Sequence, residues 1–588
     1  MNIQSLLSKK IYKTLSMIVD KNLSSERHKI YIKRSKKSDF GDYQINGIIN
    51  ITKKIDISFY QLAKKIVDIL NKENIFEKVE ISNSGFINIF LNTEWLSAQL
   101  FNTLSSKRLD ISLVKPQNII VDYSSPNIAK EMHVGHMRST IIGDAIVRLL
   151  EFLGHNVIRV NHIGDWGTQF GMLIAYLEEK QYSNQEICIT NLESFYREAK
   201  KKYDQHSDFT KRAREYVVKL QHGDKYCRHI WKKLVDITMK QNQIIYNKLN
   251  VTLSYNDIMG ESLYQDMLPD IISDLKKKGL AIQDKNAIIV LLEEFKNKNN
   301  QPMGVVIQKK DGAYLYTTTD IACAKYRCDK LKADRILYYI DSRQHQHLMQ
   351  AWTIARKAGY IPDSVSLEHH MFGMVLGKDG KPLKTRSGET IKLNSLLDEA
   401  IKRAHNVISN KITTSITDRS EIEHLARVIG IGSVKYADLS KCRTTDYVFD
   451  WDQMLKFEGN TAPYIQYAYT RIMSIFNKTG YSYKNFLNHI EEIKEEIKLE
   501  SNIERQLAIC LLQYEETITN VADLGMPHIL CTYLYRLSVL FSSFYEECSI
   551  IEAKSKSLFY SRLQIALLTA RILEHGLNLL GIQVVDRM

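Results

Sequence analysis

Between residues 118 and 163 the chain reads strand, broken turn, long helix, strand, and that order leaves few folds open. NIIVDYS (118–124) is a run of β-branched residues with apolar positions on both faces, as in a buried parallel strand. Pro126 prevents it from continuing as a strand. RSTIIGDAIVRLLEFLG (138–154) carries apolar residues at helical spacing and stops at Gly154, and NVIRVNHI (156–163) is the next strand. A strand–helix–strand unit of this kind heads a doubly wound, Rossmann-type domain.

The turn between strand and helix carries the chemistry. In SSPNIAKEMHVGHMRST (124–140), His133, Gly135 and His136 fall at the mouth of the helix. A helix N-terminus offers unpaired N–H groups and partial positive charge, which suits phosphate. Gly135 lets a planar base approach the backbone, and two histidines three residues apart can donate to phosphate oxygens. The competing reading is a helix cap with ordinary surface histidines. The position after a strand and before a helix favours the phosphate site.

The remainder of the 588 residues is too long for one core and reads as a multidomain α/β chain. Residues 1–112 form a small N-terminal α+β domain, with strands at HKIYIKR (28–34) and GFINIFL (85–91) and a turn at FGDYQ (40–44). The amphipathic, basic first twenty residues fit an N-terminal helix better than a transit peptide. Lys33, Arg34, Lys36 and Lys37 make a basic cluster that a solvated loop explains equally well. Residues 113–455 form the Rossmann-type domain, with a charged helical insertion near 190–250, and IIVLL (288–292), GVVIQ (304–308) and RILYYI (335–340) returning to the α/β pattern. Residues 456–588 are expected to be an all-α helical bundle, with apolar residues at threes and fours in three long stretches.

The formal charge of +13 favours a polyanionic partner, although a Lys-rich composition alone can produce it. Eight cysteines lack any CxxC pair, which points to free thiols in a cytosolic protein without a structural metal. No apolar run approaches the ~18 residues of a membrane span.

HVGH (133–136) resembles the HIGH signature of class I aminoacyl-tRNA synthetases, and PNIAKEMHVGHMRSTIIGD is similar to arginyl-tRNA synthetases in particular. FGDYQ, GFINIFL, GDWGTQFG (164–171), LYTTTDIA (315–322), FEGNTAPYIQYAYTRI (457–472) and LLGIQVVDRM (579–588) continue the resemblance in order along the chain. It implies a HIGH region of Pro126, Asn127, Ile128, Ala129, Lys130, Glu131, Met132, His133, Val134, Gly135 and His136. GKDGKPLKTRSG (377–388) stands where the family's KMSKS loop closes on triphosphate. It departs from that pattern: aligned on Thr385-Arg386, the first signature lysine falls at Pro382 and the second is absent. Lys381, Lys384 and Arg386 remain as phosphate candidates, and Lys130 takes the position from which the family replaces the missing lysine. A lysine there neutralises charge as the arginine carboxylate attacks phosphorus.

The resemblance also implies an arginine pocket at Tyr316 and Asp320, four apart and so on one face of a helix. A carboxylate suits the planar fork of a guanidinium. Asp122, Ser125 and Asn127, at the end of the first strand, would hold the α-amino and carboxylate groups, with Gln344 nearby and Glu261 a further carboxylate. The implied reaction is activation of L-arginine by ATP, with Mg2+ carried by the nucleotide, and transfer to tRNA. No editing domain is visible, and a site built around buried acceptors discriminates without one. The family is usually monomeric and generally requires tRNA before adenylate forms. Its N-terminal domain contacts the outer corner of tRNA and its bundle the anticodon. Tyr464, Tyr467, Tyr469, Tyr533, Tyr535 and Tyr545 include stacking candidates, most of them expected in the core. The alternatives are a class I synthetase for another amino acid and a non-catalytic tRNA-binding protein.

Overall fold

The computed structural model describes residues 2–18, 31–35, 38–52, 57–82, 85–182, 192–296, 299–384, 390–411, 418–493 and 495–588. They form two compact units: Val114–Leu455 with Leu579–Ile582, and Met1–Leu113 with Lys456–Asn578 and Gln583–Met588.

The first unit is built on a four-stranded parallel sheet in the spatial order Ser366–His369, Arg335–Tyr338, Asn118–Asp122, Asn156–Val160. Ile119, Ile120 and Val121 are fully buried, as the continuous apolar run requires. The register aligns Val160, Asp122, Tyr338 and His369 in a row at the carboxyl edge of the sheet. From the central strand Asn118–Asp122 the chain moves to one side and later returns to the other, so the crevice beside Asp122 is a topological switch point. The helix Val134–Leu153 packs on this strand so closely that a Cβ at Gly143 would lie 2.4 Å from the Tyr123 ring. Gly154, in the left-handed conformation at φ 101°, ends the helix.

The charged stretch after residue 190 forms three helices, Leu192–Gln205, Ser207–Gln221 and Lys225–Lys248. Two expected strands do not join the parallel sheet. Ala287–Lys296 and Pro302–Gln308 form, with Ala281–Asp284, a separate antiparallel sheet. Exposed residues alternate with buried ones along parts of both strands, so each offers one face to the core and one to solvent. The short connections between them allow antiparallel pairing, whereas a parallel partner needs a longer crossover. The tail segment Leu579–Ile582 is held in this unit by the buried Lys435, whose Nζ donates to the carbonyls of Leu249 (2.7 Å) and Gly581 (2.9 Å).

The second unit brings the two ends of the chain together. Its helix Ile3–Ile18 precedes an antiparallel sheet ordered Tyr31–Arg34, Tyr43–Asn46, Ile87–Leu91, Phe76–Ile81. Ala462–Thr479, Asn502–Leu512, Tyr514–Leu524 and His528–Glu547 are helices of the bundle. Arg34 pairs with Glu516, and Arg505 with Asp42 at 2.8 Å, across these segments. Tyr469 and Tyr533 are core residues, whereas Tyr467 is exposed. Lys33 and Arg34 are described, but Lys36 and Lys37 lie outside the described residues. Among the described residues no helix is long and apolar enough to cross a membrane.

Candidate active site

The turn after the central strand is bent through conformations that side chains resist. Ser124, Ser125 and Ala129 have φ of 72°, 49° and 61°. Each such residue costs roughly 1–3 kcal/mol and persists only where its surroundings over-determine it. Here the hydrogen bonds are dense. The Ser124 N–H donates to Ser139 Oγ (2.9 Å), Thr140 Oγ1 donates to Ser124 Oγ (2.9 Å), and Ser124 Oγ meets the Tyr246 hydroxyl (2.8 Å). The Ser125 N–H donates to Asn161 Oδ1 (3.1 Å) and the Ala129 N–H to Thr238 Oγ1 (3.1 Å).

Asp122 sits beneath this turn. One oxygen accepts from Ser125 Oγ (3.1 Å) and the other is paired at 2.6 Å with Arg327, itself fully buried and lying over the Tyr338 ring. In this structure Asp122 therefore anchors the turn. Arg327 was not singled out from sequence; it stands two turns beyond Asp320 in the mixed helix Tyr316–Asp329. Asn127 projects at the surface, in a bridge with Gly164.

His133 caps the helix that follows. Its Nδ1 accepts the N–H of Gly135 (3.1 Å), the Nδ1 of His136 accepts the N–H of His133 (3.1 Å), and the two rings lie 4.0 Å apart. Burial, and then the Lys130 charge, lower the pKa of His133. Burial, then the neighbouring His133 and Lys130, push His136 down to about 3. Both imidazoles are thus neutral near pH 7, with Nδ1 an acceptor and the proton on Nε2. The pair is a set of two uncharged donors at a helix mouth. A Cβ on Gly135 would stand 2.9 Å from the His133 Nδ1 and Cε1 atoms. Gly135→Ala must displace that ring, and we expect kcat to fall about 10–100-fold with the fold intact, as for a small misplacement of a reacting group. Steady-state kinetics beside a thermal melt check this.

Glu131, Met132 and Val134 complete the turn by pairing with the far end of the lysine loop. The Val134 N–H donates to Ile391 O (3.0 Å), the Leu393 N–H donates to Met132 O (2.9 Å), and Lys392 pairs with Glu131 at 3.0 Å. Pro126 and Ile128 are buried beneath it. Lys381 and Lys384 are exposed on the loop's hairpin, where Pro382 bridges Leu376 and Lys384 bridges Thr390. Arg386 lies outside the described residues.

A second cluster is acidic. Asp165 accepts from the N–H (2.9 Å) and Oγ (2.6 Å) of Ser262, and a Cβ on Gly260 would lie 2.4 Å from its carboxylate, so Asp165 fixes the backbone around Glu261. Burial pushes Glu261 up to about 7; nearby His162 opposes this, and the negative charges of Asp320 and Asp165 add to it. The Tyr316 phenol is raised by partial burial and by Glu261, although its ring is 65 % exposed. Asp320 accepts from His347 Nε2 at 2.6 Å. Glu261, Tyr316 and Asp320 therefore form an acidic cluster whose members feel one another's charge, with His162 acting on Glu261 and His347 bonded to Asp320. Gln344 is exposed at the end of the turn Ser342–Gln344, beyond the strand Arg335–Tyr338. Sequence reasoning gave no role to His347, Asp165 or Gly260, although Asp165 stands in GDWGTQFG (164–171) and Gly260 beside Glu261.

The cluster titrates. Glu261 is charged only above about pH 7, so affinity for a cation is present there and lost as pH falls. For the free enzyme we expect kcat/KM for a guanidinium substrate to drop as pH falls through 7, approaching tenfold per unit below 6. Glu261→Gln should remove that inflection; a pH profile of both proteins checks it.

Residues 99–451 match the family model "tRNA synthetases class I (R), catalytic domain", so the sheet, the strained turn and the histidine-capped helix are those of a class I aminoacyl-tRNA synthetase. Residues 1–91 match the "Arginyl tRNA synthetase N terminal domain" and residues 465–588 the "DALR anticodon binding domain". Arginine–tRNA ligases of Pectobacterium carotovorum and Sodalis glossinidius are 60 % and 61 % identical, each over the whole of both chains. The crystal structure of arginyl-tRNA synthetase from Plasmodium falciparum is 30 % identical with a TM-score of 0.84, covering 100 % of this chain and 99 % of that one. The Thermus thermophilus arginyl-tRNA synthetase, 22 % identical over 100 % of both chains, shares the fold at a TM-score of 0.80. The chain belongs to the arginyl-tRNA synthetase family.

Proposed function

We propose that the protein is an arginine–tRNA ligase. The observation that carries the reading is the acidic cluster of Glu261, Asp320 and Tyr316, with Asp320 bonded to His347, in the same unit as a histidine-lined helix mouth. Two carboxylates on a planar fork favour arginine over other amino acids. Ser125, Asn127 and Gln344 hold the α-amino and carboxylate groups, with Asp122 beneath them.

The arginine carboxylate oxygen attacks the α-phosphorus of ATP, the bond to the bridging oxygen breaks, and pyrophosphate leaves. His133 and His136 donate from Nε2 to the oxygens on which charge builds, Lys130 neutralises it, and Lys381, Lys384 and Arg386 act on the departing phosphates. A hydroxyl of the tRNA's 3′-terminal adenosine then attacks the arginyl carbonyl and AMP leaves. The protein's part is positioning and charge stabilisation. Mg2+ would enter with ATP as a phosphate-bound ion, where it would help neutralise the phosphates, and no residue here is assigned to it.

In this reading residues 1–112 meet the outer corner of the tRNA, residues 113–455 catalyse and residues 456–588 read the anticodon. Bound tRNA precedes adenylate formation, and the enzyme works as a cytoplasmic monomer. The net charge of +13 supports an RNA partner, and binding should weaken with salt. The test is charging: purified protein, ATP and tRNA should yield acid-precipitable arginine from labelled amino acid. Tight tRNA binding without ester formation would overturn the catalytic reading, and ester formation with another amino acid would overturn the choice of arginine.

A further inference from the structure

One helix of the insertion touches both cationic elements that flank the signature turn. On Leu192–Gln205, Glu193 and Tyr196 are three apart and so share a face. The Lys130 ammonium lies over the Tyr196 ring, 5.0 Å from its centroid. Lys392, which forms an isolated bridge with His133, reaches Glu193 at 2.8 Å and Glu131 at 3.0 Å. One face of the helix is thus pinned to the turn at Glu193 and offers an aromatic ring to the lysine at Tyr196.

Among the described residues, the Tyr196 ring is the contact that the Lys130 head makes. Lys130 is exposed, directly after the strained Ala129, and a lysine on a flexible four-carbon stem wanders unless something holds its head. An aromatic face does so without neutralising it, which an acidic partner would. The hold also keeps the charge beside the histidines, since Lys130 contributes to the lowered pKa of both His133 and His136. Glu193 has the complementary part: Lys392 lowers its pKa, as expected of a carboxylate fixed by a lysine.

We propose that Tyr196 is a positioning residue for the reaction: its ring holds the Lys130 ammonium at the helix mouth, and the Glu193–Lys392–Glu131 bridge sets the ring in place. This rests on the role given to Lys130 above, so the experiment separates the two. Arginine-dependent exchange of labelled pyrophosphate into ATP, with tRNA present, is measured for Tyr196→Leu, Tyr196→Phe, Lys130→Ala and the double variant Tyr196→Leu/Lys130→Ala. A half-exposed contact of this kind should be worth about two- to fivefold. Tyr196→Leu should therefore lower kcat by about that factor with KM for arginine unchanged. Tyr196→Phe, which keeps the ring face, should restore it.

In the Lys130→Ala background Tyr196→Leu should have no further effect, because its target is gone. A purely structural tyrosine would give equal losses in both backgrounds and no rescue by phenylalanine, and that result overturns the proposal. Wild-type kcat in Tyr196→Leu beside a strongly impaired Lys130→Ala overturns it while leaving the lysine's role standing. An unimpaired Lys130→Ala overturns both.

Discussion

Asp320→Ala should lower kcat/KM for arginine by about 10²–10³-fold while leaving KM for ATP near its normal value. Removing one member of a desolvated, hydrogen-bonded charge pair costs about 2–5 kcal/mol, much of it from the partner left unpaired. In the proposed reading the partner is a guanidinium, which would meet only Glu261 once Asp320 is gone. Glu261 is a weak substitute, because burial raises it to about 7 and leaves it partly protonated at neutral pH. His347 loses its 2.6 Å acceptor as well, and that hydrogen bond is the main reason its own pKa is raised. The second consequence separates a binding defect from a folding defect: the His347 imidazole should titrate lower in Asp320→Ala, which NMR can follow, while the melting temperature changes little. Asp320→Asn keeps the shape and the His347 contact but removes the charge, and should recover little of the arginine affinity. A normal KM for arginine in Asp320→Ala would remove the cluster from the reading.

Asp320 and Tyr316 were reached through the family resemblance, which their spacing on one helix face only accompanies, whereas His133, Gly135 and His136 stand in a short segment whose place between strand and helix puts them at a helix mouth. Nothing of either kind marks Arg327. Asp122 was legible by its place at the strand end, but the 2.6 Å pair that engages it joins residues 205 positions apart. No local pattern carries that. Asn161, Thr238 and Tyr246 hold the strained turn through contacts 36, 109 and 122 residues apart. The parallel strand at 118–122 announced itself by a continuous apolar run and that at 156–160 by its place after the Gly154 helix stop, and Arg335–Tyr338 lies in the same sheet. The strands near 288 and 304 look similar over four or five residues, and only their flanking exposed positions reveal the antiparallel meander. The two ends of the chain each read as a domain of their own. Their union in one unit depends on pairs such as Arg505–Asp42, 463 residues apart.

The second large effect is expected at the helix mouth, where His136→Ala should lower kcat about 10²–10³-fold, the usual consequence of removing a preorganised donor from a site where negative charge develops. What the substitution leaves is informative. The His133 N–H loses its acceptor, a capping loss of about 1 kcal/mol, so the protein should remain folded at the assay temperature. His136→Gln retains an amide donor and should fall less far than His136→Ala. The depressed pKa sets the accompanying pH behaviour. A histidine held near 3 is already neutral at pH 6, so protonation of His136 cannot shape the rate between pH 6 and 8. At saturating arginine the guanidinium holds Glu261 ionised, and kcat should be flat across that range. At low arginine the Glu261 inflection near 7 should reappear. A fall in kcat through 6.5 that disappears in His136→Ala would mean that the imidazole changes charge during turnover, and the neutral-donor description of the site would then fail.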